Sequence, residues 1–130
     1  MIEEDYVSFE TAKLLKEKGF DESISMVYMS YGNLCKCNRY DSIRNSNYNG
    51  ITKNYFECTA PTLQMAMKWL REAHNIFISI VFCFYPTEKR VTWTPEISTF
   101  DSVFPESAIE YNSYEEATEA SIRYCLENLI

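Results

Sequence analysis

The stretch IFISIVFCFY, Ile76–Tyr85, decides the fold of this 130-residue chain. Only Ser79 interrupts its apolar run, and both alternating faces are apolar. Such a pattern is typical of a central strand that is covered on both sides of its sheet. We therefore expect Ile76–Tyr85 to be an interior strand of the core. Its ten residues are too few to cross a membrane as a helix, which needs about 20.

The residues that follow predict a hairpin. Pro86–Lys89 (PTEK) reads as a turn, and Arg90–Thr94 (RVTWT) alternates between apolar and polar residues. We expect an antiparallel hairpin over about 76–94. Pro95 should end the second strand or place it at an edge of the sheet, because proline cannot donate to a ladder. The segment Arg90–Thr94 is then one candidate edge for a homodimer.

Three helices are predicted, over about 9–18, 61–74 and 114–128. Ser8 suits the N-cap of the first helix, and Gly19 suits the left-handed residue after its end. Pro61 suits the first position of the second helix, where its missing N–H has no partner in any case. Ser113 with Glu116 three residues later forms a capping box for the third helix.

One further strand and a long loop complete the prediction. Ile24–Tyr31 (ISMVYMSY) alternates and should join the hairpin in one small antiparallel sheet. Residues 33–57 are rich in Asn, which favours turns, so we expect a loop with at most one short strand. A loop of that length is uncommon in a compact domain, so it is either a binding loop or contains a missed strand. The sequence thus predicts a single α+β domain over 1–130, a small sheet packed by three helices.

Composition restricts the function classes. The chain is 46% hydrophobic and 15% aromatic, which excludes a disordered protein. Its net charge of −7 disfavours nonspecific binding to nucleic acid, because an acidic protein repels phosphates. The acidic start at 1–5 is the opposite of a signal peptide, and an odd count of 5 Cys argues against a disulfide framework. We expect a cytoplasmic protein with no membrane segment.

No residue pattern identifies a catalytic or metal site. The pair Cys35 and Cys37 has one residue between its members, and a structural zinc site needs four ligands with wider spacing. Cys83 lies in the expected interior strand, where a thiol acts as a small apolar group. His74, the single His, sits at a predicted helix end, and Glu115 and Glu116 fit the first turn of a helix. We therefore expect no catalytic residue, no metal ion and no cofactor.

The loop offers a candidate interaction surface of interleaved cations and aromatic residues. Its members are Lys36, Arg39, Tyr40, Arg44, Tyr48, Lys53 and Tyr55. Tyr and Arg are favoured at protein interfaces. Cations with aromatics can also bind single-stranded nucleic acid by stacking.

Three segments carry a resemblance. They are DYVSFETAKLLKEKGFDE (5–22), APTLQMAMKWLREAHNIFI (60–78) and SYEEATEASIRYCLENLI (113–130). They resemble a family of small uncharacterised proteins from gut Bacteroides and their phages or mobile elements. The resemblance implies a bacterial or phage origin and a cytoplasmic setting, and it transfers no catalytic residue.

These observations favour a non-enzymatic module that binds an unknown protein partner, with a homodimer left open. The alternatives are a nucleic-acid-associated regulator that uses residues 36–55, and an enzyme that acts through Cys35, Cys37 or a carboxylate.

Overall fold

The computed structural model describes residues 1–37, 42–46, 56–104 and 109–130, with Phe104 described by its backbone alone. The elements in chain order are α1 (Phe9–Glu17), β1 (Met26–Met29), β2 (Leu34–Lys36), β3 (Phe56–Thr59), α2 (Leu63–His74), β4 (Phe77–Tyr85), β5 (Arg90–Ser98), β6 (Val103–Phe104) and α3 (Tyr114–Asn128). This confirms the α+β class, the three helices and the antiparallel hairpin, although α2 begins at Leu63, so Pro61 is not its first residue. The chain divides into two compact units, 1–64 and 65–130. The expectation of one domain stays a prediction.

Helix α1 begins and ends as its sequence dictates. The Ser8 hydroxyl accepts the Thr11 N–H at 3.2 Å, which caps the first turn. At the other end, Gly19 adopts a φ of 97°, and Phe20 N–H returns to the carbonyl of Leu15 at 2.9 Å. The Gly19 N–H also donates to the carbonyl of Lys16 at 3.1 Å. The two hydrogen bonds form a Schellman motif, which requires a left-handed residue, and glycine takes that conformation without strain.

The sheet of the first unit has the order β2-β1-β3, all antiparallel. Strand β1 is central, and its Val27 is buried in a cluster with Ile43 and Phe56. The register between β1 and β3 shifts by one residue, so Glu57 lies between the partners of Tyr28 and Met29. The region expected to be a loop therefore contains two strands, β2 and the start of β3.

Two side chains close the outer edge of β3. The Ala60 N–H donates to Met26 in β1, so by alternation the Thr59 N–H points away from β1. The Asn45 Oδ1 accepts that N–H at 2.9 Å, while the Asn45 Nδ2 donates to the carbonyl of Phe20 at 2.7 Å. The Lys16 Nζ donates to the Glu57 carbonyl at 2.6 Å. Backbone groups that an edge strand would leave open are thus paired within the unit.

The sheet of the second unit has the order β4-β5-β6. Helix α3 packs on β5 and β4 and buries Ala117, Ile122, Cys125 and Leu126. Its N-terminus is capped as predicted, with the Ser113 hydroxyl accepting the Glu116 N–H at 3.0 Å.

The predicted position of the apolar strand is wrong. Strand β4 lies at the edge of its sheet and is exposed, not interior. The hairpin and β1 also belong to two separate sheets rather than to one. Strand β5 is the central strand of the second sheet; within Arg90–Thr94, β4 pairs with one side and Trp93 bonds Tyr111 on the other. A homodimer through this segment stays a prediction.

Pro95 does not end β5, which continues to Ser98. Trp93 exchanges both backbone hydrogen bonds with Tyr111, so its N–H and C=O point away from β4. Pro95 has the same parity as Trp93, and its nitrogen therefore points to that side too. The ladder between β4 and β5 loses no hydrogen bond to the proline, which explains why the strand tolerates it.

Candidate functional site

The structure describes two residues of the predicted interaction surface. Lys36 is exposed in the short strand β2, and Arg44 is exposed beside a single turn of 3₁₀ helix. The other five lie outside the described residues: Arg39, Tyr40, Tyr48, Lys53 and Tyr55.

Arg44 holds the local fold. Its Nη1 donates to the backbone carbonyl of Asp21 at 2.7 Å, and the Asp21 Oδ1 accepts the Ser46 N–H at 2.7 Å. These bonds tie residues 44–46 to the chain that follows α1. The guanidinium is thus engaged with a backbone carbonyl and would have to exchange that bond to reach a ligand.

The cysteines differ in environment from one another. Cys58 and Cys125 are fully buried, and burial raises the pKa of each thiol to about 12, which disfavours the nucleophilic thiolate. Cys83 is exposed, so the expectation that it fills an interior position is wrong. Cys35 and Cys37 are half-buried, and Cys37 packs against the cluster around Val27.

His74, Glu115 and Glu116 each occupy a position that helix structure accounts for. The His74 ring lies 4.7 Å from the Trp69 ring in an edge-to-face contact within α2. Glu115 and Glu116 are exposed in the first turn of α3, as their helix position predicts. Among the described ranges, no three residues of the types His, Cys, Asp and Glu are placed to hold a metal ion.

The outstanding surface of the described chain is strand β4. Four of its large apolar side chains are exposed: Phe77 by 37%, Val81 by 42%, Phe82 by 64% and Phe84 by 57%. Exposed apolar residues are ordinary when single, but a contiguous group on one strand marks an interaction site or an aggregation hazard.

Both faces of β4 contribute to this surface. Ile78, Ile80, Phe82 and Phe84 share one face, since side chains alternate along a strand. Helix α3 packs on that face. Ile78 and Ile80 are half-buried there, whereas Phe82 and Phe84, nearer the hairpin tip, are exposed. The opposite face carries Phe77, whose ring meets the exposed Phe100 ring at 5.5 Å.

The backbone of β4 is open on its outer side. Because Trp93 points its polar groups away from β4, the β5 residues that bond β4 are those of the other parity, such as Thr94 and its partner Val81. The N–H and C=O groups of Ile78, Ile80, Phe82 and Phe84 must then point outward. Within the described ranges, no strand or bridge pairs with that side.

A polar cluster ends the apolar strip at the hairpin tip. The Tyr85 hydroxyl donates to Glu110 Oε1 at 2.6 Å, and the Arg90 guanidinium lies 4.3 Å from the centre of the Tyr85 ring. Arg90 is also paired with Glu88. The hydrogen bond to Glu110 raises the pKa of Tyr85 to about 12, and it lowers the pKa of Glu110.

The sequence pattern located the strand β4 but not its exposure at the edge of a sheet. The signal was present, because Ile76–Tyr85 contains no charged residue, proline or glycine. An interior strand and an unprotected edge strand share that composition, and only the sheet order separates them.

No protein-family model, curated protein or solved structure matches this chain. The resemblance to the Bacteroides family stays a prediction. In the part of the chain that the structure describes, every helix is too short or too polar to span a membrane.

Proposed function

We propose that this chain is a non-enzymatic protein-interaction module that accepts an extended apolar strand at the outer edge of β4. In keeping with the resemblance, we place it in the cytoplasm of a bacterium, as an accessory protein of a phage or mobile element. The observation that carries the proposal is the nine-residue edge strand with exposed apolar side chains on both faces.

Edge strands of monomeric proteins normally carry devices that prevent pairing, such as charge, proline, a bulge or shortness. Strand β4 carries none of these. The opposite situation holds in the first unit, where β2 has three residues and includes Lys36. The first sheet has a protected edge and the second does not, and this difference supports a role in strand pairing for the open edge of β4.

Strand addition fits this edge physically. The outward N–H and C=O groups of β4 supply main-chain hydrogen bonds, and Phe82 and Phe84 supply apolar contacts for alternate side chains of an added strand. The strand has no charge, so the partner strand should be uncharged where it pairs.

The test compares two lysine substitutions in the same sheet. Phe82→Lys places a charge on the β4 edge, whereas Val103→Lys places one on the 68% exposed Val103 of β6. At a concentration where the chain is monomeric, both variants should keep the far-UV spectrum and melting temperature of the wild type. We expect immobilised wild type and Val103→Lys to retain the same proteins from a Bacteroides lysate to which the untagged chain has been added, and Phe82→Lys to lose them.

Hydrogen exchange of the purified complex adds the structural readout. Amides of the peptide that covers 77–85 should gain protection when a retained protein is added. Equal retention by all three forms, or protection elsewhere without protection of 77–85, contradicts the proposal. The alternatives of a nucleic-acid regulator and of an enzyme stay predictions.

A further inference from the structure

We infer that the strand which pairs with β4 is the β4 strand of a second copy of this chain, which makes the protein a two-fold symmetric homodimer. This inference rests on the proposed function and names its partner. The two β4 strands run antiparallel with Val81 on the symmetry axis. The β4-β5-β6 sheets of the two copies then join into one continuous sheet of six strands.

The residue pairing of this arrangement uses the whole strand. With Val81 opposite the partner's Val81, Phe77 lies opposite the partner's Tyr85 and Ile78 opposite the partner's Phe84. Ile80 then lies opposite the partner's Phe82. The nine residues of β4 all find a partner, because Val81 is the midpoint of Phe77–Tyr85.

The backbone groups fit the same register. Ile78, Ile80, Phe82 and Phe84 point their N–H and C=O groups outward, as deduced from the pairing with β5. In the Val81-centred register, each of these residues lies opposite another of the same set. Opposed residues of this kind exchange both hydrogen bonds in an antiparallel ladder. A shift by one residue would set outward groups against inward ones.

The side-chain pairs are favourable. On the face toward α3, Ile78 lies opposite the partner's Phe84 and Ile80 opposite the partner's Phe82. Pairs of an aromatic and a β-branched residue are favourable across antiparallel strands. Phe77 meets the partner's Tyr85, an aromatic pair on the other face.

Charge argues for a second copy over an acidic or basic strand. The chain has a net charge of −7, so two copies repel wherever their acids approach each other. Strand β4 has no charged residue, so the contact brings no like charges into opposed positions. The uncharged strand is therefore the segment through which two acidic chains can meet at the lowest electrostatic cost.

Sedimentation of the full chain tests the assembly. We expect the wild type and Val103→Lys to approach twice the chain mass of 15.3 kDa as concentration rises from about 1 to 300 µM. Phe82→Lys should weaken the dimer at least tenfold, because it puts one charge per chain against the partner's Ile80. A wild type that stays monomeric over this range, or an unchanged dimer of Phe82→Lys, overturns the inference.

A disulfide probe tests the register. Residues opposed without hydrogen bonds have Cα atoms about 4.5 Å apart, within the range that a disulfide spans. Val81→Cys in a Cys83→Ser parent should therefore form a disulfide-linked dimer when copper phenanthroline is added as the oxidant. The parent alone and Val103→Cys in that parent should stay uncrosslinked. Crosslinking of all three at one rate overturns the Val81 register.

The two proposals fail differently. If the wild type is a monomer and Phe82→Lys still loses the retained lysate proteins, the second copy is wrong and the strand-accepting module stands. If Phe82→Lys neither alters the mass nor loses a retained protein, both proposals are wrong.

Discussion

The two sheets of this protein treat their edges in opposite ways. In the first unit, Asn45 and Lys16 bond the outward backbone groups of β3, and the other edge strand, β2, has only three residues. In the second unit, the nine-residue strand β4, apolar except for Ser79, has one side that no strand of the described ranges pairs with. The shorter and less apolar strand, β1, is the one that occupies the centre of its sheet.

This contrast shows that apolarity does not by itself decide burial. Val27 of β1 is buried because two neighbouring strands flank it and a cluster covers it. Phe84 lies in the apolar strand β4 and is exposed, and within the described ranges no strand pairs with the outer side of β4. A contiguous apolar strand that is not covered marks an interaction site or an aggregation hazard.

The largest expected effect compares two phenylalanines. Phe56 of β3 is 2% exposed, and Phe56→Ala should lower the free energy of unfolding by about 3–5 kcal/mol, because it leaves a cavity. Phe84→Ala removes an exposed ring paired with Val91 and should cost less than about 1 kcal/mol.

Urea denaturation at a concentration where the chain is monomeric measures both. Similar losses for the two variants would mean that Phe84 is covered in solution, and the contrast between the sheets would be lost.

A smaller effect is expected at the closed edge of β3. Asn45→Ala removes the acceptor of the buried Thr59 N–H and the donor to the Phe20 carbonyl. Leaving such groups unpaired should cost about 1–3 kcal/mol in the free energy of unfolding. Asn112 is exposed, and Asn112→Ala should change stability by less than about 0.5 kcal/mol. An Asn45→Ala protein as stable as Asn112→Ala would show that the side chain does not close the edge.

The smallest effect concerns the polar tip of the hairpin. The Tyr85–Glu110 hydrogen bond lowers the pKa of Glu110, so its contribution is lost as pH falls below the ordinary glutamate range of about 4.3. The same bond raises the pKa of Tyr85 to about 12, so the contribution is also lost as pH rises above the ordinary tyrosine pKa of about 10. Between these limits it is fully present.

Tyr85→Phe is the variant that measures it. The difference in unfolding free energy between wild type and Tyr85→Phe should be constant from about pH 5 to pH 9 and shrink beyond both ends. A difference that does not vary with pH would assign the effect to packing of the ring under Arg90 instead of to the hydrogen bond.

The helices could be predicted because their signals are local. Ser8, Gly19 and Ser113 act on backbone groups within a few residues, and each does in the structure what its position in the sequence predicts. The hairpin was also predictable, since Pro86–Lys89 joins two strands that pair with each other directly.

The sheet order could not be read from the sequence because it depends on pairing between distant segments. No local feature of Phe77–Tyr85 indicates that, within the described ranges, this strand pairs with one other strand and not with two. The tolerance of Pro95 likewise depends on which way its nitrogen points, and Tyr111, far along the chain, determines that. The role of Asn45 was hidden among several asparagines that all favour turns.

The order of β4, β5 and α3 along the chain has a consequence for biosynthesis. The hairpin leaves the ribosome before α3 is made, and its two strands are adjacent in sequence, so they can pair early. Ile97 and Pro95, which end up buried in the finished unit, face water until Tyr114–Asn128 emerges. During that interval the nascent hairpin is open at its edge and at both faces, which is when chaperone binding protects such chains.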